Sequence, residues 1–206
     1  YLNMVLGPGA VVGDALARDK RIAFYSFTGS SEVGMKLKTT VGLRPISLEL
    51  GSNSPTIVHS DADLNKAVEA CTRFAFANAG QVCISVQRVY VHRPVYDEFC
   101  KRAVSIAGTI KVGDPLDPAN DLGCMISEYE AERAMEWINE AVAGGAEVLI
   151  GGRRSGPFME PTILTNVLPE MKCVCNEIFA PVFSIIPYDT IDEAIALAND
   201  SRYGLQ

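Results

Sequence analysis

The chain has 206 residues, 48% hydrophobic and 21% charged, with 25 acids against 18 bases for a net charge of -7. That composition excludes a disordered or fibrous chain, and the length suits one large domain or two small ones. The negative balance, with no basic cluster interleaved with aromatics, excludes nucleic acid and an anionic membrane surface as partners.

In chain order, short β-rich runs alternate with longer amphipathic ones, the pattern of βα units on a mostly parallel sheet. Leu2 to Leu6 reads as a buried strand and Arg21 to Phe27 as another, followed by a helix over Ser31 to Thr40 and a strand over Pro45 to Leu50. Thr56 to Val58 is the next strand. In the helix predicted for Asp63 to Ala77, Leu64, Ala67, Val68, Cys71 and Phe74 recur at intervals of three and four. A strand at Arg88 to His92 and a helix from Tyr96 to about Ile110 continue the series. Ser127-Glu128-Tyr129-Glu130 and Thr190-Ile191-Asp192-Glu193 carry capping-box chemistry, the hydroxyl accepting from a free N–H while the carboxylate reaches back. The first of these helices runs to Ala143 and stops at Gly144-Gly145; Glu147 to Ile150 is a strand, Gly151 to Pro157 a loop, and Pro161 to Thr165 and Phe183 to Pro187 are strands. Both ends read as cut, with apolar residues at Leu2 to Leu6 and an element beginning near Tyr203.

The longest apolar stretches fall far short of the ~20 residues of a spanning helix, and nothing at Tyr1 resembles an export signal, which points to a cytoplasmic protein. Six cysteines at irregular spacings then argue against a disulfide framework. His59 and His92 are the only histidines and neither has zinc-ligand spacing to another candidate, so no metal is expected.

Three segments carry candidate chemistry. Gly80-Gln81-Val82-Cys83-Ile84-Ser85 places a thiol in a tight loop just past a helix, where sulfur and backbone N–H groups can converge on one ligand atom; an isolated cysteine there reads more commonly as a small buried hydrophobe. In Leu48-Glu49-Leu50-Gly51 a carboxylate interrupts an apolar strand at its C-terminal end, where open α/β sheets bind ligands. Partial burial there would raise the Glu49 pKa towards that of a general base, whereas the plainer reading is a solvated carboxylate or one paired with Arg44 or Arg88. Phe27-Thr28-Gly29-Ser30-Ser31-Glu32-Val33-Gly34 follows a strand and opens a helix, a place for phosphate or simply a capped helix start.

Together with a fourth segment, these resemble the aldehyde dehydrogenase family: F-T-G-S-x-x-V-G at Phe27 to Gly34, L-E-L-G at Leu48 to Gly51, G-Q-x-C at Gly80 to Cys83 and E-x-F-x-P-V at Glu177 to Val182, in that family's order and along essentially the whole chain. The resemblance implies an α/β fold, a three-layer αβα sandwich with a mostly parallel sheet, residues 1–51 ending a dinucleotide-binding domain and 52–206 forming most of a catalytic domain. It implies NAD or NADP as cofactor, a small aldehyde as substrate, and a homodimeric or homotetrameric full-length parent. By the same resemblance, Cys83 attacks the aldehyde to give a thiohemiacetal whose oxyanion is held partly by its own N–H, hydride passes to the nicotinamide, and Glu49 activates first Cys83 through a water and then the water that hydrolyses the thioester. Phe27, Thr28, Gly29, Ser30, Val33, Gly34, Leu50 and Gly51 would line the cofactor, Glu177 would bond the nicotinamide ribose and Phe179 would pack beside it.

The chain departs from the family pattern at Ser52 and Asn53, where a glycine and a lysine are usual, and at Ala180, where glycine is common. The resemblance also places the asparagine completing the oxyanion hole and the lysine of the adenosine ribose before Tyr1, so the chain alone is expected to be inactive. Three rival readings stand beside this one: a coenzyme A-acylating relative, against which Glu49 argues; a cysteine hydrolase or transferase pairing Cys83 with His59 or His92; and a catalytically incomplete scaffold.

Overall fold

The computed structural model describes residues 1–205, and the chain divides into two compact units that meet in sequence between Gly51 and Ser52. The first holds helix α1 (Gly9–Arg18), strand β1 (Tyr25–Thr28), helix α2 (Ser31–Val41) and strand β2 (Ile46–Glu49). Strands β1 and β2 pair in parallel, with Thr28 opposite Glu49.

Two expectations fail here. Leu2 to Leu6 forms no strand: its apolar side chains are exposed, and among the described residues no strand pairs with it. Helix α1 carries no local start signal, because Pro8 precedes it without a side-chain cap and the usual hydroxyl or carboxamide is missing. Strand β1 also begins later than Arg21. The Asp19 carboxylate accepts from both the Arg21 backbone N–H and its guanidinium, holding that residue in a turn.

The second unit follows the order β3 (Pro55–Val58), α3 (Leu64–Phe76), β4 (Arg88–His92), α4 (Arg93–Ala107), α5 (Glu128–Ala143), β5 (Glu147–Ile150), β6 (Arg154–Ser155), β7 (Phe158–Met159), β8 (Thr162–Thr165), α6 (Lys172–Cys175), β9 (Val182–Tyr188) and α7 (Ile191–Asn199). Its main sheet has the order β3-β4-β9-β8-β5; the first four strands are parallel and β5 runs antiparallel to β8 at the edge. Alternation along the strands splits the core in two. Val89, Val91, Ile163, Phe183 and Ile185 pack with Val68, Cys71 and Ala75 of α3 and Phe99 and Ala103 of α4. Leu164 and Val182 join Ala131, Ala134, Ile138 and Ala141 of α5. The result is a three-layer αβα sandwich on a mostly parallel sheet, each large buried side chain contributing about 1.5–3 kcal/mol.

Local chemistry sets the element ends. Asp63, Ser127 and Thr190 accept from the N–H groups of Lys66, Glu130 and Glu193. Only the last motif returns its carboxylate to the entering chain, Asp189 N–H donating to Glu193; the Glu130 carboxylate turns instead to Arg133. After α5, Gly145 takes φ +104, a conformation that favours glycine. The expected loop over Gly151 to Pro157 contains strand β6, which pairs with β7 as a small hairpin. No helix among the described residues is long and apolar enough to cross a membrane.

Candidate active site

In the first unit the candidate cofactor loop leaves the C-terminal end of β1. Gly29 N–H donates to the Glu49 carbonyl at 3.0 Å, so the Thr28–Gly29 turn and Glu49 stand side by side at the open end of the parallel pair. Ser30 caps α2 by accepting from Val33 N–H at 3.3 Å. A side chain has no room at two places: a Cβ on Gly29 would come within 2.5 Å of the Phe27 ring, and one on Gly34 within 2.5 Å of Leu50 Cδ2. Thr28, Gly29, Ser30 and Val33 are exposed, Phe27 and Leu50 half-buried, Gly34 and Gly51 buried. The arrangement offers backbone N–H groups, hydroxyls and the positive end of an 11-residue helix, which suits a pyrophosphate, although Glu32 in the first turn offsets part of that potential.

Glu49 is exposed, contrary to the expected partial burial. Alternation along β2 places it on the same face as Ser47, opposite Ile46 and Leu48. Neither arginine considered as its partner is directed to it. The Arg44 guanidinium donates to the Ala17 and Asp19 carbonyls and the Tyr25 hydroxyl, and Arg88 is occupied inside the second unit.

The thiol loop of the second unit is built from strained backbone. After α3, Asn78 (φ 51), Ala79 (φ 56) and Gly80 (φ 69) are successive left-handed residues. Each such non-glycine residue costs about 1–2 kcal/mol, and strain of this kind persists where surrounding contacts over-determine it. Those contacts are present. Asn78 Nδ2 donates to the Gln81 carbonyl, Gln81 Nε2 donates to the Asn78 carbonyl, and Gln81 Oε1 accepts from Ile126 N–H at 2.8 Å. Buried Ser85 donates back to the last turns of α3, at the Phe74 and Ala75 carbonyls. Between these anchors Cys83 occupies the crown of a turn closed by Ser85 N–H on the Val82 carbonyl, with its side chain exposed.

The other cysteines differ in access. Cys71, Cys100 and Cys173 are pushed up by burial, to about 12, 11 and 11, and pack as apolar groups. Cys175 is exposed and Cys124 half-buried. The two histidines stand at the far end of the strand that Cys83 precedes: His59 follows β3, His92 closes β4, and their rings stack at 4.3 Å with Tyr188 hydrogen-bonded to His59. Strand β4 spans roughly 13 Å between its ends, so no thiol–imidazole pair forms.

The Cys83 loop rests directly on the segment that carries Glu177 and Phe179. A Cβ at Gly80 would lie 1.9 Å from the Ala180 carbonyl oxygen, which shows how closely the two backbones approach. Phe179 is itself left-handed at φ 49 and exposed, and Ala180 is buried beneath it. Glu177 is half-buried and accepts from Ser52 N–H at 3.0 Å. The second unit thus gathers Cys83, Glu177, Phe179 and Ser52 around one pair of contacting loops.

The departures at Ser52 and Asn53 are absorbed by buried hydrogen bonds. Ser52 shares a 2.7 Å bond with Ser54, while Asn53 donates to the Val174 carbonyl and accepts from Ser201. Two further polar residues, one of them the Arg88 considered above as a partner of Glu49, brace this site. Gln87 and Arg88, both 2% exposed, open the otherwise apolar strand Val89-Tyr90-Val91, and that break in pattern was the available signal. Arg88 donates to the Asn53, Leu197 and Ala198 carbonyls and to the Tyr90 hydroxyl.

Comparison with known proteins identifies the family and the fold. The sequence matches the pattern of the Aldehyde dehydrogenase family over residues 1–206. It is 48% identical over 205 residues to a 3-sulfolactaldehyde dehydrogenase of Priestia aryabhattai, covering 100% of this chain and 43% of the relative. A lactaldehyde dehydrogenase of Methanococcus aeolicus is 42% identical, with 98% and 43% covered. The fold superposes on the glyceraldehyde-3-phosphate dehydrogenase GapN of Methanocaldococcus jannaschii complexed with NADP at a TM-score of 0.93 and 41% identity, covering 97% of this chain and 43% of that one. Betaine aldehyde dehydrogenase of Staphylococcus aureus in complex with NAD+ gives a TM-score of 0.93 and 35% identity, covering 98% and 42%. The chain therefore spans about two-fifths of the length of these relatives. With the match running from the first residue to the last, the chain belongs to the aldehyde dehydrogenase family.

Proposed function

We propose that the complete protein carrying this chain oxidises a small aldehyde to a carboxylic acid with NAD or NADP, Cys83 serving as nucleophile and Glu49 as base. The observation that carries this reading is the exposed Cys83 thiol in a doubly anchored loop that follows strained backbone, while Cys71 and Cys173 are buried and Cys100 half-buried. Residues 1–51 contribute to the dinucleotide-binding domain and residues 52–206 to the catalytic domain. The Thr28–Ser30 turn with Phe27, Val33 and Gly34 holds the pyrophosphate end, and Leu50 and Gly51 line its continuation. Glu177 bonds the nicotinamide ribose and Phe179 flanks it.

The Cys83 thiolate adds to the aldehyde carbon, and its own backbone N–H steadies the resulting oxyanion. The nicotinamide, when bound, supplies the hydride acceptor. Loss of the hydride from the former aldehyde carbon, as the oxyanion re-forms the carbonyl, would leave an acyl group on the Cys83 sulfur. Glu49 then takes a proton from water as that water attacks the acyl carbon, and the acid departs with return of the thiol. The family resemblance makes the complete protein a homodimer or homotetramer.

The complete protein with Cys83→Ala is expected to lose aldehyde-dependent reduction of either cofactor by at least ~10³-fold while still binding the cofactor. Near-normal turnover in that variant would reject the assignment.

A further inference from the structure

The geometry points to Gln87 as a positioning residue for the nicotinamide end of the cofactor site, acting through Glu177 and Phe179; this rests on the role proposed above for Glu177. The Gln87 side chain is buried, so its carboxamide needs a partner for each end. Nε2 donates to the Ser52 carbonyl at 2.9 Å, and Oε1 accepts from Ile178 N–H at 3.0 Å. Ser52 in turn donates its own N–H to the Glu177 carboxylate at 3.0 Å. Since Glu177 and Ile178 share a peptide bond, these three hydrogen bonds close a ring through Ser52, Glu177, Ile178 and Gln87.

The ring has one workable chemistry at position 87. One end must donate to a carbonyl and the other must accept from an N–H, so the reversed amide faces oxygen against oxygen. Glutamate lacks the donor and methionine lacks both groups. Gln87 is also immobile, because its backbone lies between strands: its N–H donates to the Ser54 carbonyl and its carbonyl accepts from Ser184 N–H. A rigid sheet position thereby holds the Glu177–Ile178 peptide, one residue ahead of Phe179 at φ 49, and, through Ser52, the carboxylate of Glu177. None of the three hydrogen bonds involves Cys83, so their loss is expected at the cofactor more than at the thiol.

The test uses the complete protein, titrated with NAD+ and with NADP+. Gln87→Met and the near-isosteric Gln87→Glu are each expected to raise the Kd of the preferred cofactor about tenfold. The KM for aldehyde and the rate of Cys83 alkylation should change less than twofold. In a Glu177→Gln background, Gln87→Met should add little further loss, because both act through one carboxylate. An unchanged cofactor Kd in either folded Gln87 variant overturns the proposal. So does a loss fully additive with Glu177→Gln, or a loss matched equally in aldehyde KM and alkylation rate. If Glu177→Gln alone leaves the Kd unchanged, the role assigned to Glu177 fails and this proposal falls with it.

Discussion

Replacing Gly80 with alanine tests whether the contact between the thiol loop and the Glu177–Pro181 segment sets the geometry of the site. The new Cβ would stand 1.9 Å from the Ala180 carbonyl oxygen and 2.3 Å from its carbon, with φ at +69. The left-handed conformation costs an alanine about 1–2 kcal/mol more than glycine. Relieving the overlap requires a shift of roughly 1 Å or more in backbone, for which overpacking strain of about 1–3 kcal/mol is typical. Ala180 is 2% exposed and leads straight into β9, so it cannot swing aside as a surface side chain would. The sum is about 2–5 kcal/mol, read as a lower urea midpoint at unchanged slope in the complete protein. A loop displaced by ~1 Å should also slow turnover on the order of 10²-fold. Destabilisation below about 0.5 kcal/mol together with normal turnover would refute the close-contact reasoning.

Three more outcomes can be checked. Glu49→Gln should spare the first turnover more than the steady state, giving a pre-steady-state burst of reduced cofactor; no burst alongside normal steady turnover would remove Glu49 as the hydrolytic base, and coenzyme A-dependent turnover would favour the acylating alternative. At pH 8 the thiols of buried Cys71 and Cys173 and half-buried Cys100, pushed up by desolvation to about 12, 11 and 11, hold only about 10⁻³ to 10⁻⁴ thiolate, so iodoacetamide should label exposed Cys83 well before them by mass spectrometry. Raising the pH increases those thiolate fractions, and equal labelling of Cys71 and Cys83 at pH 8 would contradict the burial argument. Arg88→Lys should destabilise by about 2–4 kcal/mol, since an ammonium cannot serve the Asn53, Leu197 and Ala198 carbonyls and the Tyr90 hydroxyl together; a change under about 0.5 kcal/mol in urea unfolding would argue against it.

Periodicity located α3, and capping boxes located the starts of α5 and α7, because both signals depend on residues three and four apart in sequence. The same dependence explains the misses. Leu2 to Leu6 has the apolar content of a strand, but a strand exists only with a partner, and pairing is a property of the fold. Glu49 reads as a carboxylate within an apolar run, yet its exposure follows from which face of a two-stranded sheet it occupies.

By itself the sequence determined the family, the βα order and the identity of the candidate thiol, carboxylate and glycine turns, since all of these are written in local spacing. Only the tertiary structure decided that Gly80 bears on Ala180, that Gln87 joins residues 35 positions upstream and 91 positions downstream, and that the histidines stack far from the thiol. Hydrogen bonds and close approaches between strands distant in sequence leave no periodic trace in the chain. They arise when the parallel sheet brings β3, β4 and β9 together, and they hold the loops in place.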